Sequence, residues 1–420
     1  MSQSLLRIPG FPVYLIGRFL LALLARSQAV AIGYHLYELT NDPIALGYVG
    51  LAMFLPVVGF GLFAGDIADR VNRAMVLSVG SACAAASSCG LFAIAIYDVR
   101  VTWPFYVLAA LYASAMSFVR PAHPSLITEI VPAPQLASAI AMAAGASQMA
   151  SVIGPAAVGA TLIAGPAAAY AAMAVVAAIA SVLWLRLRHL AVSARPAHTE
   201  LSTVQRITEG IRIVIHSPII LGAISLDLFA VLLGGVIVLL PVFARDILMV
   251  GPVGLGLLRS APAVGAGVAA LVLSRVGFPR NAGKIMLSGV AAFGVAMLVF
   301  GFSRSLTLSL AALCVAGVMD MMSNVVRSTA IQLSTPNAFR GRVNSVEQLF
   351  VSGSNELGDF RAGISAGLIG VVPAVIVGGA CTIMVTLLWA VFFPSLRNLD
   401  RLSDLRPHEK VSGREATDAG

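Results

Sequence analysis

Lys284 and Lys410 are the only lysines in the 420-residue chain, and they are followed by Ile285 and Val411. The phosphate-binding loop G-x-x-x-x-G-K-[ST] needs a lysine before a hydroxyl residue, so it is absent, and with it ATP hydrolysis as an energy source. Cysteine is equally scarce. Cys83, Cys89, Cys314 and Cys381 fall in apolar runs without metal-ligand spacing; they read as small buried hydrophobes, not as a disulfide framework or thiolate site. The six histidines (His35, His123, His189, His198, His216, His408) lie at the ends of apolar runs or between them, which leaves no paired acid–base set for a membrane-embedded enzyme. The chain is therefore not read as an enzyme, and no cofactor or metal is expected. Charged residues make up only 11% of it.

What is present is long and apolar. Hydrophobic residues reach 59% and mean hydropathy is +0.92, more than a soluble core hides, and the apolar runs have the length of bilayer-spanning helices. Twelve spans are read near 12–37, 44–64, 75–97, 103–119, 137–163, 166–186, 218–243, 253–273, 285–302, 306–326, 343–369 and 372–393. The expected fold is all-α and integral to the membrane: an N-terminal six-helix half (1–186), a polar linker (187–217), a C-terminal six-helix half (218–393) and a charged, disordered tail (394–420). The N-terminal "MSQSLLRIPGFPVY" runs into a long span without a small-residue cleavage site, so no removable signal peptide is expected.

A net charge of +8 and a pI near 9.7 invite a nucleic-acid reading, but the basic residues sit in short loops, where they set topology. Of the 27, the side shared by both termini and the linker takes 20, and the opposite loops hold only Arg100, Arg245 and Arg304. Both termini and the linker are expected in the cytoplasm, the lipid bilayer is the partner, and nucleic acid is not. Tyr14, Tyr34, Tyr37, Trp103 and Trp389 are read as membrane-interface anchors.

The two halves resemble each other. Pro43–Gly47 (PIALG), opening span two, matches Pro252–Gly256 (PVGLG), opening span eight, 209 residues later; Arg120, ending span four, matches Arg327, ending span ten, 207 residues later. Such internal repeats are typical of secondary transporters, whose substrate site lies at the repeat interface.

The stretch between spans two and three, GDIADRVNRAMV, concentrates charge in an apolar chain. Its Gly65-x-x-x-Asp69-Arg70-x-Asn72-Arg73 resembles the G-x-x-x-D-R-x-G-R-[KR] loop of the major facilitator superfamily. It departs at Asn72, a residue that enters left-handed turns readily, and at Ala74. Arg120–Gly159 and Phe339–Gly363 are similar to the transmembrane secretion effector branch, which includes the enterobactin exporter. Within the first segment Gly145, Gly154, Pro155 and Gly159 resemble, incompletely, the glycine-proline signature of antiporters on helix five. The resemblance implies two pseudo-symmetric six-helix bundles, with helices one, four, seven and ten lining the cavity and two, five, eight and eleven forming the interface. It also implies a monomeric, proton-coupled exporter of a small molecule (drug, siderophore or other metabolite) working by alternating access in a bacterial cytoplasmic membrane. Proton-coupled uptake, or a transporter-like sensor, stays open at this point. Asp69 is either a latch against the dipole of a helix from the other half or, with Arg70 and Arg73, a cap that fixes topology.

Charges within the spans are costly and face a cavity or a partner. Spans three, six, nine and twelve carry essentially none. The candidates for the cavity or for proton coupling are Arg26, Asp227, Asp320, Glu356 and Asp359. Glu356 and Asp359, at i and i+3, share a helix face with Asn355, and two carboxylates this close resist joint ionisation. Either they exchange protons or they form a salt bridge with Arg361, Arg259 or Arg26. Gln148 is either a polar contact or a packing residue.

Overall fold

The computed structural model describes residues 5–190, 203–276, 280–336, 339–402 and 405; the side chains of 62, 63, 65–70, 203, 204, 206, 207 and 276 lie outside the description. Six long helices come first: α1 (Phe11–Thr40), α2 (Pro43–Arg70), α3 (Arg73–Ile96), α4 (Trp103–Ile130), α5 (Ala133–Thr161) and α6 (Pro166–Arg186). After α7 (Thr203–His216) come α8 (Pro218–Gly234), the three-residue α9 (Leu240–Val242), α10 (Gly251–Val276), α11 (Ala282–Phe302), α12 (Leu306–Ser334), α13 (Arg340–Ile369), α14 (Val371–Phe392) and the short α15 (Pro394–Arg397).

The chain punctuates these helices with residues suited to each end. Proline stands in the first turn of α1, α4, α5, α6 and α8, where its missing N–H has no helical acceptor to lose. Gly165 (φ +100°) and Gly370 (φ +90°) make the tight turns into α6 and α14. Asn72 caps α3, its side chain accepting from the Met75 N–H at 3.2 Å, so a non-glycine residue serves in the motif by capping.

Eleven stretches among the described residues are long and apolar enough to cross a membrane, and this is a multi-pass membrane protein. The twelfth long helix, the 30-residue α13, is not among them, because it carries Arg340, Arg342, Glu347, Glu356, Asp359 and Arg361. It is covered instead by α2, α8 and α14. Among the first six helices α1 packs on α5 and α6, and α3 on α4 and α6; later α12 packs on α10 and α11, and α14 on α8 and α11. The two sets meet along α2–α13 and α5–α10. The α2–α3 turn and α7 lie on one face of the molecule, the terminal face, and the α1–α2 and α5–α6 turns on the opposite, distal face.

Several expectations need correction. The linker is not simply polar: α7 is an amphipathic helix that buries Ile213 and Val214 against Val343 and Val346 of α13, with Glu209 paired to Arg342. Tyr14 is buried in a cage with Trp184 and His123, its hydroxyl donating to the His123 carbonyl, so it does not face lipid as an anchor. That contact also places His123 inside α4, not at a span end. None of the four cysteines is fully buried, and Cys89 is exposed. Trp389 is held inward by Phe229 and Ser225. The tail begins with an ordered turn, Asp400 accepting from the Asn281 N–H at 3.0 Å; residues 403, 404 and 406–420 lie outside the described residues.

Candidate functional site

α8 stops at Gly234, and the chain resumes a 3₁₀ turn only at Ile237. Irregular backbone at membrane depth needs partners for its freed polar groups, and they come from α13. Arg361 Nη2 donates to the Gly235 carbonyl at 2.9 Å, and the Val238 N–H lies beside the Asp359 carboxylate. One turn earlier on α13, Glu356 lies within electrostatic range of Asp359, Arg120 of α4 and Arg259 of α10. Arg259 also feels Asp359 and Arg26 of α1, and Arg26 feels Arg120 and Tyr112 of α4. A mixed-charge site thus lies where both helix sets meet. Among the described residues no arginine nitrogen forms a salt bridge with Glu356 or Asp359. The roof of the acidic pair is α2: a Cβ on Gly50 would lie 2.7 Å from the Glu356 carbonyl and 3.1 Å from Asp359 Cβ.

Asp227 and Asp320 sit elsewhere. Asp227 is ion-paired to Arg327, which is 3.8 Å from Glu347, and all three side chains are largely buried between α8, α12 and α13. Asp320 lies in the field of Asp227 and Arg327 without a salt bridge among the described residues. A polar cavity of about 310 Å³ opens beside this cluster, lined by Asn324, Arg327, Gln332, Asn344, Glu347 and Gln348.

The loop motif stands at the terminal face, away from these charges. Gly65, Asp69 and Arg70 close α2, and their side chains lie outside the described residues. Arg73 is ion-paired to Glu129 of α4, and Asn72 Nδ2 donates to the Arg188 carbonyl at 3.0 Å, tying the motif to the start of the linker.

At the distal face the halves are in direct contact. A Cβ on Gly159 of α5 would lie 2.6 Å from the Pro252 carbonyl of α10, and one on Gly256 would lie 2.6 Å from the Pro155 carbonyl. The repeat-related crossing is as tight: a Cβ on Gly363 of α13 would lie 2.5 Å from Gly47 Cα of α2. Gly154 abuts α1, 2.9 Å from the Leu23 carbonyl by the same measure, whereas Gly145, toward the terminal face, has nothing within 4 Å. Further along the α5–α10 seam Ser260 donates to the Val152 carbonyl at 2.6 Å and Gln148 Nε2 to the Ala263 carbonyl at 2.7 Å, so Gln148 is a polar contact between the halves. Above the crossings, the Tyr37 hydroxyl bonds to Asp246, Arg245 donates to the Tyr37 carbonyl at 3.3 Å, and its guanidinium stacks 5.6 Å from the Tyr37 ring. Tyr37 is thus a pin between the halves, not a lipid anchor.

The sequence profile of the transmembrane secretion effector family matches residues 5–417. The chain belongs to that family. The enterobactin exporter EntS of Shigella boydii is 25% identical over 359 residues, covering 82% of this chain and 83% of the relative, and that of Citrobacter koseri is 26% identical over the same share. Among solved structures the nucleoside transporter NupG superposes with a TM-score of 0.76 at 13% identity, covering 91% of this chain and all of that one. A bacterial homologue of the lysosomal transporter Spinster, in an inward-facing and occupied conformation, gives 0.71 at 14%, covering 94% and 99%. The fold is that of the major facilitator superfamily, and the protein is a transporter.

Of the residues singled out in the sequence, the structure gathers Arg26, Glu356 and Asp359 in one place. It puts Asp227 and Asp320 in a second cluster, and distributes the helix-five glycines along one seam. Sequence reading missed Tyr112, Arg259's central position, the Gly235 break and the Arg245–Asp246 pin. In the sequence Arg120 reads as a repeat marker and as one of the topology-setting basic residues; its Nη1 crosses to Ser352 of α13 at 2.8 Å.

Proposed function

We propose that this protein is a proton-coupled exporter of a small molecule that works by alternating access in a bacterial cytoplasmic membrane, as a monomer. Its two six-helix halves (1–186 and 218–393) rock about the Arg26–Glu356–Asp359 site, with both termini and the 187–217 linker cytoplasmic. The observation that carries the reading is the placement of Glu356 and Asp359. They lie between the halves, beside arginines on three helices, yet outside any salt bridge among the described residues, so they are available to take up and release protons. Relatives named as exporters, the basic bias of the terminal face and the closed distal seam support export from an inward-open state.

The experiment compares pH-gradient-driven flux with substrate exchange in proteoliposomes, using a substrate found by screening a strain that lacks its own exporters. Glu356→Gln and Asp359→Asn are expected to weaken gradient-driven flux more than exchange, because exchange need not release the proton. Equal loss of both modes would make the pair structural, and wild-type flux that ignores an imposed pH gradient would remove proton coupling. Reporter fusions after Arg188 and after Asp98 test the orientation, with cytoplasmic activity expected only at the first.

A further inference from the structure

The central site carries more positive charge than its carboxylates balance. Among the described residues four arginines, Arg26, Arg120, Arg259 and Arg361, gather there with two carboxylates, Glu356 and Asp359, and Arg361 is spent on the Gly235 carbonyl. Whether or not either acid is protonated, the site stays net positive. Its internal symmetry sharpens the point. Arg327, the repeat counterpart of Arg120, is neutralised within its own half by Asp227 and Glu347. Among the described residues Arg120 has no such ion pair and reaches a neutral hydroxyl, Ser352 Oγ, which also accepts from Gln348 Nε2 at 3.0 Å. Arg26 has Arg120 and Tyr112 as electrostatic neighbours and acts in turn on Arg259. The Tyr112 side chain is 3% exposed, and its hydroxyl has no hydrogen-bond partner among the described residues. Like-charged guanidiniums held together at membrane depth, next to an unpartnered hydroxyl donor, make a receptor for negative charge.

We infer that the transported molecule is an organic anion whose acidic group is bound by Arg26, Arg120 and Arg259, with the Tyr112 hydroxyl as a further donor. The inference rests on the transport reading of the same site but not on proton coupling. An anion is expelled by an inside-negative membrane potential on its own account, so it survives if the pH-gradient experiment fails.

Two dyes with the same xanthene framework and opposite charge test it: fluorescein, an anion, and a rhodamine methyl ester, a cation. Binding to the full-length protein in nanodiscs is followed by fluorescence anisotropy without any gradient, and thermal unfolding confirms that each variant is folded. Fluorescein is expected to bind at least about tenfold more tightly than the rhodamine ester, the scale of one lost charge-assisted contact. Arg26→Gln and Arg120→Gln should each weaken fluorescein by about tenfold without weakening the rhodamine ester, and Tyr112→Phe should cost less. Arg26→Lys keeps the charge and should retain most of the binding, which a merely structural loss would not. Equal or tighter binding of the cation, no saturable fluorescein binding to the folded protein, or fluorescein binding indifferent to both Gln variants would each overturn the inference.

Discussion

The glycine crossings at the distal face make a quantitative claim about which state this chain prefers. A methyl group at residue 159 would meet the Pro252 carbonyl at 2.6 Å and Gly256 Cα at 3.0 Å, both backbone atoms of the opposite half, which yield only if α5 and α10 separate. Overpacking of this kind costs about 1–3 kcal/mol. The open arrangement of the distal face has no such contact, so Gly159→Ala should move the closed-to-open ratio by roughly 5- to 150-fold toward open. Glu38 of α1 and Val253 of α10 line one groove of about 410 Å³ across the distal seam, so spin labels at these two positions report the separation. After Cys83, Cys89, Cys314 and Cys381 have been replaced, double electron–electron resonance on the labelled pair should show a new, longer distance in Gly159→Ala. Gly145→Ala is the control: nothing lies within 4 Å of the added carbon, and it should leave the distribution as it was. Identical distributions for the two variants would refute the reasoning, since the crossing would then not limit closure.

Removing the pin above the crossing, by Tyr37→Phe or Asp246→Asn, should shift the same distance distribution in the same direction by a smaller amount, about 1 kcal/mol or fivefold; no shift would leave the contact without a gating role. Arg327→Ala leaves Asp227 and Glu347 facing each other in a buried site and should cost about 3–5 kcal/mol of stability, seen as a lower thermal midpoint. The double change Asp227→Asn with Arg327→Gln should recover part of that loss, and a strictly additive double variant would show the pair to be uncoupled. If Asp69 latches the halves, Asp69→Asn should reduce flux in vesicles at normal abundance, whereas unchanged flux assigns the motif to topology.

Much of this architecture was legible along the chain because a bilayer imposes a local rule. Each apolar run must satisfy its own backbone, so length and hydropathy announce a helix without reference to any neighbour. The terminal prolines, Gly165 and Gly370 mark ends for equally local reasons, and the PIALG–PVGLG match anticipated that Gly47 and Gly256 occupy equivalent places, each now seen against a glycine of the other half. The charge-rich α13 was visible for the same reason, as a span too polar to face lipid. Sequence composition also showed what the chain lacks, since two lysines without a following hydroxyl residue leave it without the phosphate-binding loop G-x-x-x-x-G-K-[ST].

Pairing was another matter. Asp227 and Glu356 look alike in sequence, each an acid within a span. Tertiary structure makes the first the partner of Arg327, 100 residues away, and places the second beside Arg120 and Arg259 without a salt bridge among the described residues. Arg120 and Arg327 are repeat counterparts, yet one crosses to the other half and the other is neutralised in its own, because Asp227 and Glu347 of the C-terminal half reach Arg327. The break of α8 depends on α13 to take the Gly235 carbonyl, and Tyr37 becomes a pin only because Asp246 arrives from 209 residues later. Local length and hydropathy decide which segments are helices. Which charge meets which is decided by how those helices are brought together, through contacts whose sequence separation carries no local signal.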